Sequence, residues 1–290
     1  MISVLFAVLT AISNGSASVL QRRAAATAPD SQSLSLALIG HLLRQRVWLA
    51  GIGLVIVAAV CQAVALATGP IAVVQPIFVI ELPMTLLIAS YVFRSALPRT
   101  AWYGVAAVTV GLAVGLGSAA PTGGSETVAG LSWVPALVIT GIFEALLIAA
   151  ARRTRKNARA ALLGLAAACA YALTAALLKD AVARLEGGAG LAAFFTSWQL
   201  YATAAAGIGA LFLLQNALQA GSLVASQPML TLGDALISIT YGVTLFGESV
   251  RTGWWLLPEL LAVALITAGC LELARSPLAG GASPPKPRAR

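Results

Sequence analysis

The residues of this sequence that could carry chemistry are acids placed inside otherwise apolar stretches. They are Glu81, Glu144, Asp234 and Glu259. On insertion scales, a charged acid at the centre of a membrane helix costs about 2.5–3.5 kcal/mol. Such an acid marks either a path for ions and protons or a protonated group that is hydrogen-bonded between helices. Both interpretations stay open for Glu144 and Glu259, which each stand alone.

Glu81 and Asp234 differ from the other two acids because they follow matching stretches. Each comes shortly after a Gln-Pro pair. The stretches align without a gap, and Ala, Leu, Gly, Gln and Pro coincide: "ALATGPIAVVQPIF" at 65–78 and "ALQAGSLVASQPML" at 217–230. This match indicates an internal duplication. We therefore expect Glu81 and Asp234 to bind substrate, with a proton or a metal cation as the ligand of both carboxylates.

The segment around Asp234 carries a polar stripe. Spacings of 4, 3, 4 and 3 residues place five polar side chains on one helix face: Gln227, Thr231, Asp234, Ser238 and Tyr241. Asn14 and Ser18 form a shorter stripe in the first apolar segment. Such stripes face either a water-filled path or a neighbouring helix. We take these residues, together with Gln75, Glu81 and Glu144, as the candidate substrate-binding set.

The stretch around Glu81, "AVVQPIFVIELPMTLLIA", contains two prolines in an apolar run. Pro76 and Pro83 interrupt helical hydrogen bonding, and freed carbonyls are tolerated in a membrane only where they face protein or a cavity. We therefore expect a broken helix that presents oxygen ligands at mid-depth. In ideal helical geometry Thr85 shares a face with Glu81, whereas Gln75 does not.

The candidate ligands are hard oxygen groups, which suit protons, sodium or magnesium. Every Arg lies at the end of an apolar stretch or in a loop, and Lys179 is at the outer end of the sixth stretch. An anionic substrate would therefore lack a partner at mid-depth. A large aromatic cation would need a cage of rings, for which the candidates are Tyr171, Trp198, Tyr201 and Tyr241. No cofactor is predicted.

The chain that positions these residues has 290 residues, of which 59% are hydrophobic and 10% are charged. Soluble domains carry about 25% charged residues, so the composition predicts an all-α, polytopic membrane protein. The three cysteines lack the spacing of a metal site. About nine windows of about 20 residues are predicted to span the bilayer: 2–21, 47–67, 71–93, 100–118, 131–151, 160–180, 190–213, 222–246 and 252–274. The shorter segment 33–43, with the single histidine His41, is predicted to be interfacial.

The basic residues predict the orientation. With the N-terminus outside, every Lys and Arg falls on the cytoplasmic side except Lys179, Arg184 and Arg251, as the positive-inside rule requires. Topology thus explains the net charge of +8, and no nucleic-acid partner is predicted. We expect a multi-pass plasma-membrane protein with a cytoplasmic C-terminus. Five tryptophans stand at the starts of predicted spans, where indole rings favour the interface: Trp48, Trp102, Trp133, Trp254 and Trp255.

The repeat divides the chain into two transmembrane halves, 1–130 and 131–275, followed by a basic tail at 276–290 that is predicted to be disordered. An odd number of helix positions separates the two copies. The third span therefore runs outside to inside and the eighth inside to outside, which predicts inverted-topology halves. That architecture is typical of secondary transporters, whose sites lie near the midplane at interrupted helices. The oligomeric state stays open.

The motifs "ALATGPIAVVQP" and "QNALQAGSLVASQP" resemble the drug/metabolite transporter (EamA-like) superfamily, and within it the NIPA-type magnesium transporters. The resemblance covers residues 47 to 274. It implies a secondary transporter that moves a small cationic or neutral solute, such as Mg²⁺, by alternating access. The NIPA-like pattern usually has Thr-Pro where Gln75-Pro76 stand here and Asn-Phe where Gln62-Ala63 stand.

Two other classes of function remain as alternatives. One is a metabolite or drug exporter driven by proton exchange, and the other is a non-transporting scaffold or lipid-handling protein. An enzyme is not predicted. The "TLGD" that ends at Asp234 is similar to the Gly-x-Gly-Asp of intramembrane aspartyl proteases, but Thr231 replaces the first glycine and no second aspartate lies well inside a predicted span.

Overall fold

The computed structural model describes residues 2–25, 45–94, 96–186, 190–221 and 223–275. These residues are helical apart from short connections and one isolated bridge between Thr122 and Ser249. The predicted interfacial segment 33–43, with His41, and the predicted tail 276–290 lie outside the described residues.

Eleven α-helices follow one another along the described chain. They are α1 Ile2–Ala25, α2 Arg46–Thr68, α3 Ile71–Ile77, α4 Glu81–Val92, α5 Arg99–Ala119, α6 Trp133–Arg153, α7 Lys156–Ala183, α8 Gly190–Thr196, α9 Trp198–Ala220, α10 Leu223–Thr244 and α11 Leu256–Ala274. A single 3-10 turn, Phe78–Ile80, joins α3 to α4. Further 3-10 turns lie at Gly130–Ser132, Arg184–Glu186 and Gly253–Trp255.

Eight stretches of the described chain are helical, long and apolar enough to cross a membrane. The prediction of an all-α, polytopic membrane protein is therefore confirmed. The remaining predicted span corresponds to α10, which has 22 residues and carries the polar stripe but is not among the eight. The predicted span 190–213 was misplaced, because the chain breaks at Ser197 and the long helix α9 begins after it. The Ser197 hydroxyl donates to the carbonyl of Phe194 and ends α8.

The helix boundaries repeat along the chain in the same way as the sequence. Helices α2 and α9 each have 23 residues, and they begin at 46 and 198 and end at 68 and 220. The α3–α4 stretch and α10 each have 22 residues, and they begin at 71 and 223 and end at 92 and 244. The boundaries of these two pairs therefore differ by the same 152 residues, which is the offset of the matching motifs.

Helix packing also repeats between the two halves. α1 packs along α2 in the first half, and α7 packs along α9 in the second. The last long helices of the two halves, α5 and α11, pack along each other. Small residues permit the last of these contacts: a Cβ added to Gly269 of α11 would lie 2.7 Å from the carbonyl oxygen of Gly104 of α5. Close approach of two backbones at glycine is a common way for helices to associate in lipid, because burial of apolar surface contributes little to the free energy of association there.

The tryptophans of the predicted interfacial belt differ in exposure. Trp102, Trp254 and Trp255 are 54%, 87% and 48% exposed, so their rings lie on the outside of the protein. Trp133 is 1% exposed. Its indole N–H donates to a carboxylate oxygen of Asp180 at 2.8 Å, and this hydrogen bond satisfies the polar group of a ring that is buried within the protein.

Candidate functional site

A cavity of about 470 Å³ lies between helices of both halves. Both repeat-related acids, Glu81 and Asp234, line it. The rest of its polar lining consists of carboxamides and hydroxyls, from Asn14, Ser18, Gln62, Gln75, Thr85, Tyr171, Thr174, Gln227 and Thr231. Apolar side chains such as Phe78 and Leu230 complete the wall. The two acids that follow the matching motifs therefore line one cavity.

The interruption between α3 and α4 positions Glu81. Pro76 lies inside α3, and the 3-10 turn Phe78–Ile80 follows directly. Glu81 is the first residue of α4 and Pro83 stands in its first turn, where proline is tolerated because the N–H has no helical partner. The predicted interruption is thus present as one 3-10 turn within the helical stretch Ile71–Val92.

That turn also explains why Gln75 reaches the cavity. A 3-10 helix has about 3.0 residues per turn instead of 3.6, so the ideal helical geometry that separated Gln75 from Glu81 does not hold across Phe78–Ile80. Both side chains line the cavity. Gln75 is 3% exposed, and its Nε2 atom has no hydrogen-bond partner among the described residues.

The two acids have different partners. The Asn14 amide donates to Oε2 of Glu81 at 3.4 Å, and the hydroxyl of Thr85 donates to the backbone carbonyl of Glu81 at 2.8 Å. Oδ1 of Asp234, by contrast, is buried without a hydrogen-bond partner in the described part of the chain. A carboxylate oxygen left unpaired in such an environment is costly unless a ligand or a proton compensates it.

The structure brings together seven of the ten predicted substrate-binding residues. The cavity is lined by Asn14, Ser18, Gln75, Glu81, Gln227, Thr231 and Asp234. The other three, Ser238, Tyr241 and Glu144, lie outside its lining.

The stripe on α10 continues beyond the end of the cavity. Ser238 is fully buried, and the hydroxyl of Tyr241 lies 2.5 Å from the Thr140 hydroxyl of α6, so Tyr241 joins two helices. Of the four aromatic residues considered for a cage, the cavity lining includes Tyr171 and not Trp198, Tyr201 or Tyr241. The predicted acid Glu259 lies in the first turn of α11, where the helix dipole favours a carboxylate.

The cavity is electrostatically one-sided. Its lining contains two acids and no Lys or Arg among the described residues. The part of the chain that the structure describes holds no group of three or more His, Cys, Asp or Glu suited to a metal ion. Two carboxylates of the lining are predicted to bind a metal cation. Amide and hydroxyl groups of the same lining offer the cation further oxygen ligands. The arrangement suits a cation that is held by two acids and neutral dipoles.

Sequence reasoning missed a group of buried charges beyond one end of the cavity. Lys179 of α7 and Glu248, in the loop after α10, are 6% and 2% exposed and form an ion pair of 3.0 Å. Lys179 Nζ also donates to the carbonyl of Gly69 at 2.9 Å. Glu248 accepts hydrogen bonds from the backbone N–H groups of Ile71, at 2.6 Å, and Ala72, at 2.9 Å. Its carboxylate therefore caps the N-terminus of α3.

Asp180 forms the centre of a second buried group. It is fully buried and accepts hydrogen bonds from Trp133 Nε1 at 2.8 Å, Gln199 Nε2 at 2.9 Å and the backbone N–H of Val128 at 3.3 Å. Arg184 lies 3.7 Å away as its ion partner. The only signal for either group in the sequence is the adjacent Lys179-Asp180 pair near the end of an apolar stretch, which is unusual because such residues are seldom buried unpaired.

Comparison with known proteins gives one informative match. The chain is 25% identical over 279 residues to an uncharacterized protein of Corynebacterium glutamicum, and the match covers 95% of this chain and 96% of that protein. No family model matches the chain, and no solved structure matches it. Because the relative is itself uncharacterized, the functional argument rests on the geometry of the cavity.

Proposed function

We propose that this protein is a secondary transporter that moves a small cation across the plasma membrane by alternating access. The observation that carries the proposal is that Glu81 and Asp234, which follow equivalent motifs in the two halves, line one cavity with amides and hydroxyls and with no described basic side chain. Ionisable residues inside membrane helices mark substrate and ion paths. The proposal therefore assigns both acids to the cargo or to a coupling proton.

The repeat supports the alternating-access part of the proposal. Four helical stretches form each repeat: α1, α2, α3–α4 and α5 in the first, and α7, α9, α10 and α11 in the second. Helix α6 lies between them. If every stretch crosses the bilayer, the single extra helix inverts the second repeat relative to the first. Inverted repeats with a site between them at a broken helix are characteristic of secondary transporters. The resemblance of the motifs to the drug/metabolite transporters agrees with this architecture.

The cavity favours a cation over an anion or a large aromatic solute. Two carboxylates without a described basic neighbour repel anions, and a single lining tyrosine does not make an aromatic cage. A volume of about 470 Å³ is larger than a bare metal ion requires, so Mg²⁺ would enter with water still bound, as this ion prefers. An organic cation of similar charge is the second candidate, because the amides of the lining offer it hydrogen bonds.

Transport by purified protein in liposomes tests the proposal. Uptake is measured for a panel of divalent cations and metabolites, with and without a pH gradient. We expect one solute to be taken up, and we expect Glu81→Gln and Asp234→Asn each to reduce its rate by more than about tenfold, the equivalent of 1.4 kcal/mol of lost interaction. The matched control is Glu144→Gln, which replaces an acid in α6 that lies outside the cavity lining and should retain uptake.

Two results would contradict the proposal. If a folded protein with both cavity acids replaced takes up the solute at an unchanged rate, neither acid lies on the transport path. The proposal also fails if the Glu144→Gln control loses as much uptake as the two cavity variants. Acids in the spans would then be needed for folding or insertion wherever they lie, and those in the cavity would have no special role.

A further inference from the structure

We infer that Lys179 and Glu248 form a gate that closes one end of the cavity and that opens during the transport cycle. The inference rests on the proposed function, because a closure matters only if solute passes it. Neither residue lines the cavity, and neither is among the predicted site residues. Their ion pair lies between α7 and the loop that follows α10, directly against the N-terminus of α3.

Distances along three helices locate this pair beyond the cavity. Gln75, which lines the cavity, comes four residues after Ile71, or about 6 Å along the helix at 1.5 Å per residue. Lys179 comes five residues after Thr174, another lining residue, and so lies about 7.5 Å further along α7. Gly242 of α10, whose added Cβ would collide with Glu248, comes eight residues after Asp234, or about 12 Å. The pair is therefore about one to two helical turns from the cavity lining on each helix.

Glu248 connects the two halves of the protein. One oxygen accepts hydrogen bonds from the N–H of Ile71 and from Lys179 Nζ, and the other accepts from the N–H of Ala72. Through these bonds the second half holds the start of α3, which belongs to the first half and leads to Gln75 and Glu81. A rearrangement that separates the halves at this end must break the bonds of Glu248 to the N–H groups of Ile71 and Ala72, and the bond of Lys179 to the carbonyl of Gly69, because these bonds cross between the halves.

The surrounding loops enclose the pair. Phe246 is 1% exposed, and its ring centroid is 4.9 Å from Lys179 Nζ. The loop after α5 pairs with the loop after α10 through two backbone hydrogen bonds between Thr122 and Ser249, of 3.0 and 2.9 Å. Ser125 adds a backbone hydrogen bond to the carbonyl of Phe246 at 2.6 Å. These contacts keep water away from the ion pair at this end.

The energetics of a buried ion pair suit a gate. Attraction between the two charges is largely offset by the cost of removing both from water. Once water reaches them, separate hydrated charges are nearly as stable as the pair. Such a gate is closed while water is excluded from the pair, and it opens at a small net cost in free energy. An apolar plug of the same size would cost more to open, because its apolar surface would become exposed to water.

The two charges are not repeated in the sequence at the offset of the matching motifs. Subtracting 152 residues from Lys179 and Glu248 leads to Thr27, which lies outside the described residues, and to Ala96, both uncharged. The ion pair is therefore a feature of the second half of the sequence. We expect this asymmetry to favour the state that is closed on the side where α3 begins.

Access of a water-soluble reagent to the cavity tests the gate without requiring a known substrate. The experiment uses the full chain with Cys61, Cys169 and Cys270 replaced by Ala and with Thr174→Cys as a single thiol in the cavity lining. The cationic, membrane-impermeant reagent MTSET is added to the face at which α3 begins, in intact cells or in oriented vesicles. We expect slow labelling in this parent, and a rate that is about tenfold higher or more in Glu248→Gln and in Lys179→Met, because removing one partner of a buried pair weakens the closed state.

Two features of the design separate a gate from a structural role. Lys179→Met leaves the amides that Glu248 caps untouched, so faster labelling in this variant is not an effect of uncapping α3. The matched control, Glu272→Gln, removes an exposed ion pair with Arg275 of 3.8 Å and should leave the rate at the parent value. A single gel-filtration peak in detergent verifies that each variant is folded.

The outcomes distinguish the gate from the proposed function. Unchanged labelling in both gate variants, once either is folded, overturns the gate regardless of uptake. Faster labelling in a protein that takes up none of the tested solutes supports the gate as a closure of the cavity and contradicts the transport function. Equally fast labelling in the Glu272→Gln control also overturns the gate, because loss of any ion pair would then have the same effect.

Discussion

The two cavity acids are equivalent by sequence but not by surroundings. Glu81 receives a long hydrogen bond of 3.4 Å from Asn14, whereas Oδ1 of Asp234 has no partner in the described chain. At the 152-residue offset of the matching motifs, position 14 falls on Ala166, whose side chain cannot donate a hydrogen bond. The surroundings of the two acids therefore differ: an amide of α1 reaches Glu81, whereas the side chain that interacts with Asp234 is Ser238, one turn further along α10.

This difference predicts a graded response at Asn14. Asn14→Ala removes the donor to Glu81 but keeps both carboxylates, and a hydrogen bond to a charged group is worth about 1.5–3 kcal/mol at most. At 3.4 Å we expect the lower end, so the uptake rate should fall by about tenfold or less, clearly less than in Glu81→Gln. The measurement is initial uptake into liposomes. A loss as complete as that of Glu81→Gln in a folded protein would show that Asn14 itself binds the solute.

Asp180 predicts a change in stability. Asp180→Asn replaces the acceptor of three hydrogen bonds by an amide whose NH₂ group faces donors, and it leaves Arg184 without its ion partner. Breaking a buried charged partner typically costs about 3–5 kcal/mol. We expect a lower melting temperature in detergent.

The exposed acid Glu272 provides the matched control for Asp180. Its side chain is 38% exposed and pairs with Arg275, so Glu272→Gln should change stability by less than about 1 kcal/mol. Uptake per folded molecule should be retained in Asp180→Asn, because Asp180 does not line the cavity. An unchanged melting temperature in this variant would contradict the role of Asp180 as a structural anchor.

At the scale of helices, the α5–α11 contact depends on the absence of side chains. A Cβ on Gly269 would lie 2.7 Å from the Gly104 carbonyl oxygen and 2.7 Å from a methyl group of Val108. Because backbone cannot move aside as a flexible side chain can, Gly269→Ala should force the helices apart at a cost of about 1–3 kcal/mol. Thermal unfolding in detergent measures this loss.

The matched control for Gly269 is Gly117 of α5, around which an added Cβ meets nothing within 4 Å. Gly117→Ala should leave stability equal or raise it by up to about 1 kcal/mol, because alanine is the better helix former. Equal melting temperatures for Gly117→Ala and Gly269→Ala would mean that the two helices do not approach as closely as described.

Most helices could be predicted because the bilayer sets their length. Apolar windows of about 20 residues located the helices to within a few residues except at Ser197, where a local hydroxyl contact ends α8. Proline chemistry predicted the break before Glu81. Helical spacing predicted that Gln227, Thr231 and Asp234 share a face, but it could not show that the cavity ends before Ser238, because that limit depends on the neighbouring helices.

Local sequence patterns could not predict the buried ion pair between Lys179 and Glu248. Lys179 and Glu248 are 69 residues apart in the chain, and by sequence each lies at the end of a predicted span or in a loop, where charged residues are common. Only the assembled halves bring the ammonium, the carboxylate and the start of α3 together. Pairing between distant residues follows from tertiary packing, so a single sequence predicts the cavity acids, which share a motif, better than the gate, which does not.

At the scale of the whole molecule, the orientation of the halves depends on α10. Its polar stripe occupies one side, and its other side exposes Met229, Leu236 and Val243, which are 38%, 50% and 40% exposed. A helix with one polar face toward a cavity and one apolar face outward is suited to a membrane. We therefore expect α10 to cross the bilayer together with the eight stretches.

The location of the two chain ends tests this expectation. Nine crossings place the N-terminus and the C-terminus on opposite faces, whereas eight place them on the same face and align the repeats differently. Single cysteines at Ile2, which is 59% exposed, and at Arg275, in a chain whose native cysteines are replaced by Ala, report the two faces through an impermeant thiol reagent added to intact cells. We expect labelling at position 2 and protection at position 275, as the positive-inside rule requires, with both labelled after permeabilisation. Labelling of both or of neither in intact cells would place the ends together, and the inverted repeat would have to be abandoned.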